Sequence, residues 1–449
     1  MKTVGRIIAD PAAPLFHRFD SLAGQHVLII PHSRIFDFGR GGAAEFDEIS
    51  SSGDQSRLNG FLDHLAAPLA DEDTLDGIVA PAPQSISLNV SSSCNLSCSY
   101  CYAARGAFNG AQPEPMSWNT ARSAIDALLN GADASAPVTI GFLGGEPFVN
   151  RPLVHRCILY AADKGQAKAL DVRFSVTTNG TLIRADDIAL MRAHRMAVTI
   201  SIDGGASVQN SQRPSTGRRG VGSFAALAKA VEPLLADPGR CQIAARATVI
   251  RRNLDLRQRF TDILALGFRE VGFSPLRMDQ ASGNSLGDSD WPHYLAALIA
   301  LAKEETARAR QGVPIRLSNL AIALKQIARG ASSPYPCGAG GGYFSVAADG
   351  RWYACHRAIG SSAFAMGDNT GIDEHSRLRF LAARHVHAQE ACRTCWARYL
   401  CSGACHQEAT ARSESSCGFI RGWLEFCLAA YCELSGQDVA PAERREIVQ

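Results

Sequence analysis

The feature that most constrains the fold is a series of short apolar runs, between residue 85 and about residue 280, that alternates with stretches of helical period. The six runs are the predicted strands SISLNV, VTIGFL, RFSVTT, AVTISI, AARATVI and EVGFSPL. In one intervening stretch Phe224, Leu227, Val231 and Leu234 share a helix face. Ser223 is the predicted N-cap of that helix. Serial β/α units predict a parallel sheet, as an open barrel or a doubly wound sheet, with its chemistry at the carboxyl ends of the strands.

The flanks of this series differ from it in composition. At the N-terminus, HVLIIPHSRIFDF predicts two short strands about a turn, GGAAEFDEISSS a short helix, and APAPQ a linker. Long amphipathic helices are predicted over 290–311 and 418–436. After residue 336 glycine and cysteine rise and periodicity fades, which is typical of a fold held by metal. The predicted division is an N-terminal module at 1–84, a β/α core at 85–285, a bridging helical segment at 286–336 and a cysteine-rich domain at 337–449.

Composition excludes several classes of function. The chain has 449 residues, a net charge of +2 and no basic stripe interleaved with aromatics, so we expect no nucleic-acid partner. No apolar run approaches the ~20 residues that cross a bilayer, so we expect no membrane partner and a cytoplasmic location. Thiols stay reduced in the cytoplasm, and fourteen cysteines there indicate metal or redox chemistry rather than a disulfide framework.

Three of these cysteines lie close together in SSSCNLSCSYCYA, directly after the first predicted strand. Cys94, Cys98 and Cys101 are one ligand short of a closed tetrahedral site, and thiolates are the usual ligands of iron–sulfur clusters. A zinc site is the minority interpretation, because zinc knuckles usually use paired C-x2-C elements. Buried structural thiols are disfavoured by the polar Asn, Ser and Tyr residues beside them.

This loop resembles the signature of radical S-adenosylmethionine (SAM) enzymes, C-x3-C-x2-C with an aromatic residue, here Tyr100, before the last cysteine. The resemblance implies that the three thiolates hold a [4Fe-4S] cluster and that SAM occupies its open iron. It also implies that SAM is cleaved reductively to a 5′-deoxyadenosyl radical, which abstracts a hydrogen atom. The fold that it implies is α/β, a partial (β/α)6 barrel of the TIM type.

Segments at the ends of later strands extend the resemblance. GFLGGEPF matches the family's GGEP motif, in which glycines let a ligand approach the backbone, and Glu146 is suited to accept from an ammonium group. Arg213 occupies the family's place for an arginine that pairs with the SAM carboxylate. Taken alone, GGEP is an ordinary turn, Asp203 a turn cap and Arg213 a solvated arginine. The residues implied to contact SAM are Tyr100, Gly144, Gly145, Glu146, Pro147, Asn179, Ser201, Asp203 and Arg213.

Seven later cysteines follow the order C-x12-G-x4-C, then C-x2-C-x5-C-x3-C, then a last Cys. This order resembles the SPASM extension of radical SAM enzymes that modify peptides. The resemblance implies two auxiliary [4Fe-4S] clusters, and hence three in all. A closed one is implied at Cys392, Cys395, Cys401 and Cys417, and a second at Cys337, Cys355 and Cys405. Some members have another cysteine where this chain has Tyr343, so we expect the second cluster to have an open iron or a non-cysteine or substrate ligand.

The residue after Cys355 bears on the type of peptide chemistry. Sulfatase-maturing members use an aspartate there as a base, whereas this chain has His356. CHRxxG followed by FAMGD, and CWARYLCSGACHQE, are similar to maturases that form Cys-to-carbon thioethers, including the type that serves quinohemoprotein amine dehydrogenase. The alternatives are carbon–carbon cross-linking, anaerobic sulfatase maturation and, in a different class, a zinc-stabilised non-catalytic binding protein. His356 is the candidate proton acceptor, against a structural role beside a cluster.

The resemblance also implies partners. The substrate is a ribosomally made precursor peptide or small protein subunit, and a flavodoxin or ferredoxin supplies electrons. Residues 1–84 lie outside the resemblance, and their predicted strands suggest a recognition module to whose edge a peptide adds a strand. The remaining cysteines are expected to be small core residues: Cys157, Cys241, Cys427 and Cys432.

Overall fold

The structure is a computed structural model of the chain in which two compact units are described. The residues described are 13–39, 41–66, 80–108, 114–216, 222–277, 283–330, 333–409 and 412–435, with the short segments 7–8, 74–75, 78 and 446–447. The rest of the predicted N-terminal module lies outside the described residues. The first unit comprises Met1–Ile78, Asp288–Cys337 and Ala382–Gln449, and the second comprises Val79–Gly287 and Gly338–Leu381.

The helices and strands of the described residues alternate along most of the chain. The strands are β1 (Ile7–Ile8), β2 (Phe16–Ser21), β3 (Gly24–Ile29), β4 (Arg34–Phe38), β5 (Thr74–Leu75), β6 (Ser85–Ser91), β7 (Val138–Gly144), β8 (Val172–Thr178), β9 (Ala197–Ser201), β10 (Gln242–Val249), β11 (Val271–Pro275), β12 (Tyr343–Val346), β13 (Trp352–Tyr353), β14 (Ala365–Asp368), β15 (Gly371–Ile372) and β16 (Glu446–Ile447). The helices are α1 (Gly42–Ser51), α2 (Gln55–Ala66), α3 (Trp118–Gly131), α4 (Arg151–Ala167), α5 (Ala185–Ala193), α6 (Ala206–Gln212), α7 (Phe224–Ala236), α8 (Leu256–Ala265), α9 (Asp290–Ala309), α10 (Ser318–Ala328), α11 (Glu374–Arg384), α12 (Glu390–Arg393), α13 (Arg398–Cys401) and α14 (Glu414–Ser435).

The second unit is built on a sheet with the strand order β11-β10-β9-β8-β7-β6-β12-β13-β14-β15. From β6 to β11 every strand is parallel to its sequence neighbour, with helices α3 to α8 in the connections. A doubly wound sheet reverses its strand order at a switch point, and these strands show no such reversal. The predicted α/β fold with six parallel strands is therefore confirmed, and the doubly wound alternative is wrong.

Alternation along the strands explains how the second unit encloses a cavity. In β6, Ile86 and Leu88 are fully buried and alternate with Ser85 and Ser87, and the two serines line the cavity together with Ile86. Strands β8 to β11 contribute further hydroxyl side chains to the same cavity: Ser175, Thr177, Ser201, Thr248 and Ser274. Branched aliphatic side chains fill the interior of a closed TIM barrel. Short polar side chains instead leave room here for a polar ligand.

The segment after residue 337 contributes to both units. Strand β12 pairs in parallel with β6, and β13, β14 and β15 then continue the sheet as antiparallel strands. Gly338–Leu381 thus belongs to the second unit, and Ala382–Gln449 to the first. The pairing of β12 with β6 brings the residues after Gly338 to the cavity described below.

The first unit contains an antiparallel sheet of β2, β3 and β4, and β16 pairs with β4. The strands predicted in HVLIIPHSRIFDF and the helix predicted in GGAAEFDEISSS are confirmed as β3, β4 and α1. Strand β2 has no clear apolar alternation and was not predicted, because Phe19 is its only fully buried residue. The side chains of this core come from both the sheet and the helices: Val27, Ile29, Phe36, Phe46 and Leu62.

Long helices complete the first unit. The two predicted amphipathic helices are confirmed as α9 and α14, and they pack through aromatic side chains. The ring of Phe419 lies 5.4 Å from that of Trp291 and 5.0 Å from that of Tyr294. Across the described residues, every helix is too short or too polar to cross a bilayer.

Candidate active site

The three-cysteine loop follows β6 and lines the cavity of the second unit. Cys94, Cys98 and Cys101 all face this cavity, whose volume is about 480 Å³. Backbone N–H groups donate to two of the sulfur atoms, that of Leu96 to Cys94 Sγ (3.4 Å) and that of Arg105 to Cys101 Sγ (3.3 Å). Such donors stabilise thiolates, the form that binds a cluster. Three sulfur atoms at one cavity, two of them with N–H donors, therefore fit a [4Fe-4S] cluster.

Burial disfavours the thiolate form of these cysteines in the cluster-free chain. It raises the pKa of Cys94 to about 12 and the pKa of Cys98 to about 11. The nearby Arg213 guanidinium acts in the opposite direction on the pKa of Cys98. Cluster binding at this loop must therefore release protons.

The two glycines of GGEP let the end of β7 pass close beneath the cysteine loop. A Cβ atom on Gly144 would lie 2.4 Å from the Ser91 carbonyl oxygen, and one on Gly145 would lie 2.3 Å from the Ser93 carbonyl oxygen. Gly144 also has a φ of +148°, which side chains rarely allow. Both glycines line the cavity. A larger residue at either position would displace the cysteine loop.

Glu146 and Pro147 lie beside the cavity rather than in its lining. The Glu146 carboxylate is fully buried and accepts from Thr178 Oγ1 (2.7 Å) and from the backbone N–H groups of Asn179 (2.8 Å) and Phe148 (3.2 Å). Burial raises its pKa despite these donors. The hydrogen bonds from Thr178 and Asn179 to Glu146 link the end of β7 to the end of β8. Its contact with a SAM ammonium group stays a prediction.

Tyr100, Asp203 and Arg213 form a buried network at the other side of the cysteine loop. Asp203 Oδ2 lies 3.0 Å from Arg213 Nε, and Arg213 Nη2 donates to Asp203 Oδ1 (3.2 Å). The Tyr100 hydroxyl donates to the same carboxylate, and the Arg213 guanidinium lies 5.3 Å from the centre of the Tyr100 ring. Tyr100 and Arg213 line the cavity, whereas Asp203 lies behind them. The arrangement holds a positive charge at the cavity wall.

Ser223 anchors this arginine instead of capping a helix. It directly precedes α7, as predicted, but its side chain makes no capping hydrogen bond. Ser223 Oγ donates to the Arg213 carbonyl (2.6 Å) and accepts from Gln209 Nε2 (3.1 Å). Ser223 thus occupies the predicted N-cap position of α7 without a capping hydrogen bond, because its hydroxyl bridges the end of α6 to the start of α7.

Asn179 and Ser201, the remaining predicted SAM contacts, both line the cavity. Asn179 Nδ2 donates to Asn95 Oδ1 (2.9 Å) and lies 3.8 Å from Cys94 Sγ. Asn179 thus links the end of β8 to the cysteine loop. Ser201 ends β9 with its side chain toward the cavity.

The cavity continues from the cysteine loop to two aromatic side chains, Tyr343 at the start of β12 and His356 after β13. The Tyr343 hydroxyl lies 2.7 Å from Ser87 Oγ and 2.9 Å from His356 Nδ1. Tyr343 and His356 both line the cavity. Burial, and then the charge of Arg357, lowers the pKa of His356 to about 4. His356 therefore lies at neutral pH as an uncharged ring. It faces the same cavity as the three cysteines.

Sequence reasoning missed several residues of this wall. Ser87 and Arg357 were not singled out, and Tyr343 was noted only as the replacement of a cysteine. Arg357 lies 5.6 Å from the centre of the Tyr102 ring, and both line the cavity. The alternation of serine with apolar residues in SISLNV is the one local signal that pointed to Ser87.

A second group of four cysteines meets at one small cavity of the first unit. Cys392, Cys395, Cys401 and Cys417 line it. Burial raises the pKa of Cys401 to about 11 and also raises the pKa of Cys392. Arg412 Nη1 donates to Cys392 Sγ (2.8 Å). Four thiols with a cationic donor fit a closed, anionic cluster.

The other predicted auxiliary ligands belong to different units. Cys337 and Cys405 lie in the first unit and Cys355 in the second, so the second auxiliary site stays a prediction. Near Cys337 and Cys405 in the sequence lie Tyr335 and His406, whose ring centres are 6.5 Å apart. The expected core cysteines Cys157, Cys427 and Cys432 are buried, whereas Cys241 precedes β10 in a turn and is only half-buried.

Comparisons with known proteins address the family and the fold. The model of the Radical SAM superfamily matches residues 88–230. The serine-type anaerobic sulfatase-maturating enzyme of Klebsiella aerogenes is 23% identical over 371 residues, which cover 76% of this chain and 85% of that protein.

Two solved structures share the fold. Native anSMEcpe with bound AdoMet, another name for SAM, has a TM-score of 0.65 at 18% identity, covering 79% of this chain and 100% of that one. Streptococcus suis SuiB bound to its precursor peptide SuiA has a TM-score of 0.52 at 11% identity, covering 92% and 98%. At these identities the likeness concerns the fold alone, an α/β architecture with a mostly parallel central sheet.

Proposed function

We propose that this chain, which is a radical SAM enzyme, cross-links a peptide substrate by joining a cysteine sulfur to a carbon atom. Membership of this superfamily implies SAM and a [4Fe-4S] cluster. The observation that carries the proposal is that one cavity is lined both by candidate cluster ligands and by candidate substrate-contacting residues. The cysteines lie on one part of its wall, and Tyr343 and His356 lie on another. The space between them is suited to a cofactor together with one residue of a substrate.

The cavity wall contains groups suited to each cofactor. Cys94, Cys98 and Cys101 would hold the cluster, and Gly144, Gly145 and Arg213 would hold SAM. Bound together, these cofactors supply a 5′-deoxyadenosyl radical that removes a hydrogen atom from the substrate. The Arg213 cation suits the carboxylate of SAM. Gly144 and Gly145 have no side chains and line the cavity, which suits an approach of its amino-acid end to the backbone.

The substrate side of the cavity would be formed by His356 and its neighbours. A carbon that loses a hydrogen atom bonds to a cysteine sulfur when the thiol also loses its proton and one electron leaves. We infer that His356 contacts the reacting group, because its Nε2 has no hydrogen-bond partner among the described residues. An auxiliary cluster at Cys392, Cys395, Cys401 and Cys417 would accept the electron. Each cross-link would then remove two hydrogens from the peptide.

The N-terminal sheet is proposed to bind the precursor peptide. Strands β2, β3 and β4 have a hydrophobic core of their own with α1 and α2. SuiB, which shares the fold, is known with a bound precursor peptide. A peptide would add a strand to this sheet, with backbone hydrogen bonds giving the affinity. Full peptide affinity after deletion of residues 1–84 would contradict this role.

Anaerobic purification and co-expression test the function. Three [4Fe-4S] clusters give a brown protein with about twelve irons per chain, whereas a colourless zinc protein would contradict the proposal. Co-expression with candidate small peptides, with flavodoxin or ferredoxin as electron donor, is followed by mass spectrometry. Loss of two hydrogens together with loss of an alkylatable cysteine supports a thioether.

Two other products are distinguished by the same spectra together with an aldehyde test. Loss of two hydrogens with every cysteine still free and no aldehyde present would indicate a carbon–carbon bond. The similarity to a sulfatase-maturating enzyme favours a second candidate, which would leave an aldehyde on a serine or cysteine. A hydrazide reagent, which reacts with aldehydes, detects that product directly.

A further inference from the structure

The four-cysteine cavity of the first unit contains an arginine to which the proposed function gives no role. Arg412 lines this cavity with Cys392, Cys395, Cys401 and Cys417. Its Nη1 donates to Cys392 Sγ at 2.8 Å. The guanidinium is therefore in direct contact with a sulfur atom that is proposed to bind iron.

Two backbone-anchored groups fix the guanidinium in place. Arg412 Nη2 donates to Gln389 Oε1 (2.8 Å) and to the Gly403 carbonyl oxygen. The Gln389 side chain is itself held, because its Nε2 donates to the Arg384 carbonyl (2.7 Å). Gly403 has a φ of +81°, and a Cβ there would lie 2.6 Å from Gln389 Nε2. Three hydrogen bonds within the fold therefore hold the Arg412 side chain in place, unlike that of a solvent-exposed arginine.

One donor of this side chain points to a ligand. Arg412 Nε is buried and has no hydrogen-bond partner among the described residues. A buried donor without a partner is costly, and native proteins rarely retain one. The thiolates and sulfides of a cluster in this cavity are acceptors that would satisfy it. The orphaned N–H and the contact with Cys392 therefore point to the same anionic ligand.

The other two arginines that line the cavity donate to groups other than the cysteine sulfurs, although Arg398 Nε, like Arg412 Nε, is buried without a partner among the described residues. Arg398 Nη1 donates to the carbonyl groups of Pro14 (3.0 Å) and Cys395 (3.2 Å). Arg421 forms an ion pair with Glu414. Among the described arginines that line this cavity, Arg412 alone donates to a cysteine sulfur.

We propose that Arg412 donates hydrogen bonds to the auxiliary cluster of this cavity and raises its reduction potential. The inference rests on the proposed function, because it requires a cluster at the four cysteines. Reduction adds one negative charge to a cluster, and a fixed cation in contact with it stabilises the reduced form. A raised potential suits a cluster that takes up the electron released on cross-linking.

An EPR-monitored redox titration of the full chain tests this inference. The chain is reconstituted anaerobically with Cys94→Ala, Cys98→Ala and Cys101→Ala, so that only auxiliary clusters contribute to the spectrum. Arg412→Gln removes the charge, and Arg412→Lys keeps it but loses the fork of donors. The matched control Arg421→Gln with Glu414→Gln removes an opposite-charge pair of which Arg421 lines the same cavity.

We expect Arg412→Gln to lower the midpoint potential of one cluster, Arg412→Lys to give an intermediate value and the paired control to match the parent. Equal potentials in parent and Arg412→Gln, at equal iron content, would overturn the inference. Loss of iron from both Arg412 variants would also overturn it, because Arg412 would then be an assembly residue. If Cys401→Ala removes no iron from the parent, no cluster exists at this site, and the proposed function itself fails.

Discussion

The hydroxyl group of Tyr343 joins residues from distant parts of the chain. Ser87 lies 256 residues before it and His356 lies 13 residues after it, and both are within hydrogen-bond distance. The hydroxyl donates to one of these neighbours and accepts from the other, so the His356 ring is held in one orientation. A histidine fixed in this way offers its second nitrogen to the cavity at little further cost in side-chain entropy.

Tyr343→Phe removes both hydrogen bonds and keeps the ring. We expect cross-linked product to form about thirtyfold more slowly, since the two bonds together contribute about 2 kcal/mol. Formation of 5′-deoxyadenosine and the iron content should not change. The control is Tyr335→Phe, whose buried hydroxyl has no hydrogen-bond partner among the described residues. A parallel fall in 5′-deoxyadenosine and product would show that Tyr343 supports SAM rather than the substrate.

The Asp203–Arg213 pair is a second feature at the residue scale. Asp203→Asn leaves the buried guanidinium without a counter-charge, and we expect a loss of about 3 kcal/mol in unfolding free energy. Saturating SAM should restore part of it, because the SAM carboxylate would supply the missing negative charge. Thermal unfolding with and without SAM measures both effects.

A matched control breaks an ion pair nearer to the solvent. Asp126→Asn removes the partner of Lys164, and we expect a change below about 1 kcal/mol with no dependence on SAM beyond that of the wild type. If SAM stabilises wild type and Asp203→Asn equally, Arg213 does not bind the SAM carboxylate.

At the scale of elements, the ends of β6, β7 and β8 are bound together before any cofactor is present. The Gly145 N–H donates to the Ser91 carbonyl (2.7 Å), and the Glu146 N–H donates to the Ser93 carbonyl (3.0 Å). Glu146 in turn accepts from residues at the end of β8. The cysteine loop thus lies on a rigid base of strand ends, which is where parallel sheets place their sites.

Gly145→Ala should disturb this base. Its Cβ would lie 2.3 Å from the Ser93 carbonyl oxygen, which belongs to the backbone and has little freedom to move. We expect the cysteine loop to shift and iron content to fall by about four atoms per chain, the content of one cluster. Gly131→Ala is the control, because no atom lies within 4 Å of its Cβ position. Full iron content and SAM cleavage in Gly145→Ala would contradict this account.

At the scale of the whole molecule, the two cysteine cavities are built by different units. Every residue that lines the larger cavity belongs to the second unit, and every residue that lines the four-cysteine cavity belongs to the first. The chain reaches this arrangement by crossing between the units several times. Each cavity therefore has its own supporting fold.

Cys401→Ala tests whether the two cavities act separately. We expect it to remove about four irons and to abolish the cross-linked product, while SAM is still cleaved to 5′-deoxyadenosine. Iron analysis and liquid chromatography of the nucleoside measure the two effects. Cys427→Ala serves as the control, since this buried α14 cysteine is outside both cavities and should leave all iron in place. Loss of SAM cleavage in Cys401→Ala would contradict separate cavities.

The sequence by itself determined the features that depend on short-range pattern. Alternating apolar runs predicted the parallel strands, because side-chain direction repeats every two residues along a strand. The spacing of Cys94, Cys98 and Cys101 predicted a metal-binding loop, since all three lie within eight residues of the loop that follows β6. These inferences need no knowledge of distant contacts.

Only the tertiary structure decided which distant side chains meet. Tyr343 reaches Ser87 because β12 pairs with β6 in a register that sets Tyr343 opposite Ser85. Asp203, predicted to contact SAM, lies behind Arg213 because Thr248 and Tyr100 also donate to its carboxylate. Strand pairing and burial depend on the free energy of the whole fold, so they cannot be predicted from the spacing of residues along the chain.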